Sequence, residues 1–142
     1  MRSLAAARVS DPVTRAEFAK MVSVFAERFT EASLDVDADC SFSDLDQVND
    51  ELARFAVRSC QYGIMGQNIT NFKPNNAISR AEVATVISRL YGWASDGTPY
   101  YLPHMDAMIE HGYLTQNTPN NLELRGYMFI MLERIALDQA NN

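Results

Sequence analysis

Asn71-Phe-Lys-Pro-Asn-Asn-Ala-Ile-Ser-Arg-Ala-Glu-Val-Ala-Thr-Val-Ile-Ser-Arg-Leu90 carries the pattern on which the rest of the chain is built. A polar, turn-forming run feeds a helix through a capping signal. Ser79 stands where an N-cap hydroxyl is needed, and Glu82, three residues on, can return a carboxylate to the Ser79 amide: a capping box. Val83, Val86, Ile87 and Leu90 then fall on one apolar stripe of helical period. Arg80 lies in the first turn, at the positive end of the helix dipole, where a cation is disfavoured. A helix selected only for stability would not place Arg there.

The same arrangement occurs twice more. Thr14 and Glu17 form a second capping box around Arg15, and Phe18, Met21, Val22 and Phe25 follow Arg15 at the offsets that Val83, Val86, Ile87 and Leu90 take from Arg80. Met128, Met131, Leu132 and Ile135 follow Arg125 at those offsets again. Three stripes phased to a first-turn Arg mark an internal repeat. Its intervals, 65 and 45 residues, are uneven because insertions fall at 30–46 and 92–99, in loops that tolerate them.

A second kind of helix precedes the repeated one. It is predicted to be capped by Asp44 or Asp46, to carry Leu52, Ala53, Ala56 and Cys60 on one face, and to stop at Gly63. Counted back from Gly112, the same offsets give Tyr101, Leu102, Met105 and Ile109, which predicts a matching helix over 100–111. Each unit therefore reads as helix, Gly turn, polar loop, capped helix. The repeats are placed at approximately 1–34 (partial), 40–94 and 98–140 of a single all-α domain, 1–142. The first unit has only its second helix, so the sequence reads as one that begins inside a repeat. Phe72 beside Pro74 is expected to pin the loop between helices onto the domain.

Composition excludes several classes. A net charge of −6, with Lys20 and Lys73 the only lysines, is unsuited to a nucleic-acid phosphate surface. No apolar run approaches the ~20 residues of a membrane helix, and Met1–Ser10 lack the apolar core of a signal peptide. Cys40 and Cys60 are either a single bridge in an exported protein or two buried thiols in a cytosolic one.

Phe42-Ser-Asp44-Leu, Tyr62-Gly-Ile-Met-Gly66, Phe72-Lys-Pro74 and Ile78-Ser-Arg-Ala-Glu82, in that order, are similar to the S-layer homology domain, and Thr14-Arg-Ala-Glu-Phe-Ala19 matches its closing motif again. The resemblance extends over roughly residues 9–137. It implies three repeats about a pseudo-threefold axis and an extracellular, cell-surface location. It also implies grooves that hold an acidic, often pyruvylated, secondary cell-wall polysaccharide, with other surface-layer proteins as neighbours. Carried over residue by residue, it assigns Arg15 and Arg80 to the ligand carboxylate, with Arg125 as a third candidate, Thr14 and Ser79 beside them, and Gly63 and Gly66 to the turn that lets backbone approach the sugar. Glu17 and Glu82 remain structural caps. An exported location favours the Cys40–Cys60 bridge. The chain departs from the pattern in its third unit, where Leu124-Arg-Gly-Tyr127 keeps Arg125 without the Glu two residues later, and in its Gly-Ile-Met-Gly turn, one residue shorter than the family's.

On physical grounds a ligand carboxylate could take the guanidinium fork and free amides at the helix N-terminus. The structural alternative pairs Arg80 with Glu82 or with a neighbouring unit. Asp35, Asp37, Asp39 and Asp46 fall at calcium-loop spacing, a weak candidate because Cys40 occupies the position that demands Gly. His104 and His111 share a helical face without completing a metal set and are expected at the surface or half buried. No residue set calls for a cofactor, and none forms a catalytic constellation. The leading expectation is a non-catalytic wall-anchoring module. The alternative is a helical protein–protein module that keeps the fold without glycan binding.

Overall fold

The computed structural model describes residues 11–114, 118–123 and 125–140. The first ten residues, Asn117 and Leu124, which the sequence reading used, lie outside the described residues. Among those described the architecture is all-α: α1 (Arg15–Phe29), α2 (Asp50–Gln61), α3 (Arg80–Tyr91), α4 (Leu102–Glu110) and α5 (Arg125–Ala140), with one 3-10 turn at Leu45–Gln47. Arg15, Arg80 and Arg125 each open a helix.

Both capping boxes form. The Thr14 Oγ1 accepts from the Glu17 amide at 3.1 Å and the Glu17 carboxylate accepts from the Thr14 amide at 2.9 Å. Ser79 and Glu82 repeat this at 3.2 Å in both directions. The cap of α2 is not the expected one. Asn49 accepts from the Leu52 amide at 2.8 Å, whereas Asp44 spends its two oxygens on the Phe72 and Lys73 amides, at 2.9 and 2.8 Å. Asp44 thus fastens the loop before α3, and Asp46 lies in the 3-10 turn. Gly63 and Gly112 follow α2 and α4 with φ of +78° and +82°, the left-handed values that end a helix where only Gly is unstrained.

The phased stripes form the core. Phe18, Val22, Val83, Ile87, Met128, Met131, Leu132 and Ile135 are all buried, joined by Met65, Met105 and Met108. Phe72 is fully buried, as the loop-pinning role requires. On α4 the buried face is His104, Met105, Ala107 and Met108, rotated from the expected one, and Leu102 and Ile109 are exposed. His104 is completely buried, contrary to expectation. Its Nε2 lies 2.7 Å from Asp96 Oδ1 and its Nδ1 2.8 Å from Ser88 Oγ. A carboxylate only accepts, so the ring donates from Nε2 to Asp96, while Nδ1 shares a hydrogen bond with the Ser88 hydroxyl. His104 therefore clamps α4 onto α3. His111 is exposed and stacks on Trp93 at 3.8 Å, with Tyr91 on the other side at 4.9 Å.

Helix α2 packs on α1 and α4 packs on α3. Three of the long-range joints between the starts of α1, α3 and α5 are backbone hydrogen bonds. The Val13 amide donates to Glu123 O (2.9 Å), the Glu123 amide to Ile78 O (3.2 Å), and the Ile78 amide to Val13 O (2.8 Å), closing a ring. Each of these residues stands two before one of the first-turn arginines, so the ring ties together the starts of α1, α3 and α5.

Cys40 and Cys60 form a disulfide with Cα atoms 5.8 Å apart, which fixes the acidic loop to the end of α2. Among the described residues no three acidic, His or Cys side chains converge as a metal site, those of Asp35, Asp37, Asp39 and Asp46 included. The Asp35 carboxylate instead accepts from the Asp37 amide at 3.1 Å.

Candidate binding grooves

Each first-turn arginine crosses to another helix start. Arg15 pairs with Glu82, Arg80 Nε donates to Glu123 Oε1 at 2.8 Å, and Arg125 donates to Glu17 Oε2 at 2.6 Å. The awkward position is therefore explained by ion pairs that the sequence pattern hides. Of the two structural partners open to Arg80, its own Glu82 or a neighbouring unit, the structure takes the second. One expectation needs correction: Arg125 does have a Glu partner, Glu17 of another helix start. Tyr127 occupies the third motif's Glu position, and Glu123, two residues before Arg125, supplies the carboxylate instead. Nothing in the periodicity marks Glu123, because it precedes the helix and lies outside the described stripe.

The amides expected to be free at the starts of α1 and α3 are also taken. At the start of α1 the Arg15 amide donates to Asn76 O and the Ala16 amide to Pro74 O, while Thr14 takes the Glu17 amide and the Phe18 amide. At α3 the Arg80 and Ala81 amides go to Asn121 O and Pro119 O. With Ser79 and Thr14 occupied as caps, an incoming anion would meet guanidinium edges only.

Burial and hydrogen bonding tune the charges. The Arg15 Nε donates to Phe72 O at 2.7 Å, its guanidinium lies 5.1 Å from the centre of the Phe72 ring, and burial lowers its pKa against the pull of Tyr100 and Asp44. The Arg80 Nη1 donates to Thr118 Oγ1 at 2.6 Å. Burial alone would raise the Glu17 carboxyl, but the Thr14 amide, Arg125 and the Thr14 hydroxyl outweigh it and hold it below the ordinary range.

Each arginine opens onto a groove whose far wall is another of the helices α1, α3 and α5, at the second, fifth, sixth and ninth residues after that helix's own Arg. Arg15 faces Glu82, Thr85, Val86 and Arg89 across about 340 Å³. Arg80 faces Tyr127, Ile130, Met131 and Arg134 across about 370 Å³. Arg125 faces Glu17, Lys20, Met21 and Val24 across about 520 Å³. The positions are equivalent, and the chemistry differs. The Arg15 groove is the most polar on its helical wall and adds Gln67 and Tyr100. The Arg80 wall carries Tyr127 and Ile130, and the Arg125 groove adds Phe25, Phe29 and Phe129.

Gly66 lines the Arg15 groove, and Gly63 does not. A Cβ on Gly66 would come 2.8 Å from the Phe42 ring, which packs edge-on against Phe72 at 5.1 Å. Its φ of +75° adds a second reason for glycine. The turn is thus closed by aromatic packing beneath the groove as much as opened toward it. Arg89 and Tyr100 also line this groove and went unnoticed in the sequence. Arg89 is held by Asp96 Oδ2 at 2.9 Å, and Tyr100 follows a loop with no periodic signal.

Residues 61–84 match the family model of the S-layer homology domain. They span the end of α2, the Gly63–Gly66 turn, the Phe72 loop and the first turn of α3, which together make one side of the Arg15 groove. No curated protein matches the chain.

Proposed function

From the assignment of residues 61–84 to the S-layer homology domain family, a family of non-catalytic cell-wall anchoring modules, we propose that this chain holds an acidic secondary cell-wall polysaccharide in its grooves, foremost the one at Arg15. The observation that carries the reading is the coincidence of the matched segment with the one groove that combines Arg15, Gly66 and a polar helical wall. A carboxylate-bearing sugar would take the outer edge of the Arg15 fork, which suits planar, bidentate anions better than a lysine would. Arg80 and Arg125 serve the equivalent positions in the other two grooves, with Thr14 and Ser79 fixing the helix starts behind them and Gly63 shaping the turn. The grooves would be related by a pseudo-threefold repeat of units near 1–34, 40–94 and 98–140 in one domain. The location is extracellular, at the surface layer, with neighbouring surface-layer proteins as further partners. No helix of the described residues is long and apolar enough to cross a membrane.

The test is co-sedimentation of the chain with purified wall polysaccharide, before and after chemical removal of its acidic ketal groups. The wild type is expected to bind only the untreated glycan. Arg15→Lys keeps the charge for Glu82 but loses the fork, and is expected to weaken binding roughly tenfold or more with circular dichroism unchanged. Equal binding to both glycans would defeat the acidic-sugar reading. Absence of binding to either would leave the helical protein–protein alternative.

A further inference from the structure

We infer that α5 is the contact surface of a two-fold dimer, in which it packs antiparallel against α5 of a second copy. Helices α1 and α3 each carry a partner helix over a buried stripe of small residues, Ala16, Ala19 and Ser23 on one and Ala81, Ala84 and Ser88 on the other. The equivalent residues of α5 are Gly126, Phe129 and Glu133, and among the described residues no helix packs on α5 as α2 packs on α1. Its outward face is apolar instead. Tyr127 is 64% exposed, Leu137 58%, Ile130 55% and Phe129 45%. At the corresponding positions α1 has Glu17, Glu27, Lys20 and Ala19, so the apolar face is peculiar to the third unit. A helix cannot settle onto Phe129 as closely as onto alanine, so the face calls for a partner with large side chains of its own.

A second α5 meets that demand. An antiparallel pair centred between residues 133 and 134 sets Ile130 against Leu137 of the second copy, and Leu137 against its Ile130. The same centre sets Glu133 against Arg134 of the second copy, twice over by symmetry, and Tyr127 beside its Ala140. This self-complementarity is what a two-fold interface requires. Glu133 has no ion-pair partner among the described residues, and Arg134 is engaged only at its edges, donating to Gly112 O at 3.3 Å and lying 5.4 Å from the Tyr113 ring. The 16 residues of α5 span about 24 Å at 1.5 Å each. A pair of such helices, widened by the exposed Leu122, falls near the lower end of the ~1,200–2,000 Å² of stable interfaces, so micromolar self-association is expected. Dimerisation covers the wall of the Arg80 groove and leaves open the Arg15 groove, the foremost one of the proposed function.

Sedimentation velocity on the full chain between about 1 and 200 µM brackets the micromolar range. A concentration-dependent shift from one to two chain masses is expected. Glu133→Arg places like charges opposite one another at both symmetric sites and should weaken the dimer roughly tenfold or more. Adding Arg134→Glu restores opposite signs in the same register and should recover most of that loss. Leu137→Glu should leave a monomer at every concentration, with an unchanged far-ultraviolet spectrum. A wild type that stays monomeric throughout overturns the inference and assigns the face to another segment or another protein. So does a dimer indifferent to Glu133→Arg and Leu137→Glu.

Discussion

Arg125 and Glu17 lie 108 residues apart in the chain and 2.6 Å apart in space. With Arg15–Glu82 and Arg80–Glu123 they bind the starts of α1, α3 and α5 cyclically, beside the backbone ring of Val13, Ile78 and Glu123. The guanidiniums are 15–20% exposed. They are sheltered enough for loss of a partner to matter, and open enough along one edge to meet a ligand. The same three residues therefore serve assembly and, on the proposed reading, recognition.

The assembly role has a measurable size. Glu123 is almost wholly buried at 4% side-chain exposure, and removing it strands Arg80. Glu123→Ala is expected to lower unfolding free energy by roughly 3 kcal/mol, the low end for breaking a sheltered pair. In a double-mutant cycle with Arg80→Leu, the two losses should be well short of additive. Additive losses in urea unfolding would show that the pair contributes little.

The capped helices were legible because a capping box and an apolar stripe are local patterns. Thr14, Ser79, Glu17 and Glu82 needed no tertiary information. The destinations of the arginines were hidden because they depend on how loops thread past one another, and Glu123 sits ahead of its helix where no period marks it. Asp44 misled for a related reason. By type and place it could cap a helix, but two amides 28 and 29 residues away claim its oxygens, and Asn49 takes the cap. The burial of His104 leaves no local signal because its partners, Ser88 and Asp96, lie on other elements. The grooves could be placed from the arginines alone, whereas their differing walls follow from residues whose facing direction only the packing reveals.

The Cys40–Cys60 bridge closes a separation of 20 residues between the acidic loop and α2. A loop of this size corresponds to about 3 kcal/mol in the chain-entropy account. Cys40→Ser with Cys60→Ser is expected to lower stability by about that amount without loss of helix content. Thiol titration of the unreduced protein should find no free cysteine, and two free thiols would contradict the bridge.

Acid should loosen the molecule through carboxylates that are depressed in the fold. Hydrogen bonding from His104, then from Arg89, outweighs burial and holds Asp96 below its ordinary 3.8, and Glu17 lies below its ordinary 4.5. A group whose folded pKa is lowered contributes its stability above the unfolded value and loses it as pH falls through the folded one. Stability is therefore expected to be flat through neutrality and to decline below about pH 4.5. Glu17→Gln should flatten that decline, while lowering the neutral plateau. An acid limb of unchanged slope in Glu17→Gln would remove Glu17 from the account.

Tyr91 makes the opposite prediction to most core substitutions. Its ring is held between Trp93, stacked at 4.9 Å, and Phe25, edge-on at 6.4 Å, yet its hydroxyl is buried without a hydrogen-bond partner among the described residues. Burial, and secondarily Tyr113, pushes its pKa up to about 12. Tyr91→Phe keeps both ring contacts and removes only the unsatisfied hydroxyl, whose desolvation costs on the order of 1 kcal/mol or more. The variant is expected to be as stable as the wild type or up to about 1 kcal/mol more stable in urea unfolding. Tyr91→Leu, which keeps bulk but not the stacked ring, should instead be destabilised by roughly 1–2 kcal/mol, the aromatic contacts being worth about that beyond area alone. A loss of stability in Tyr91→Phe would mean that the hydroxyl is bonded after all, to ordered water within reach of the Trp93 stack.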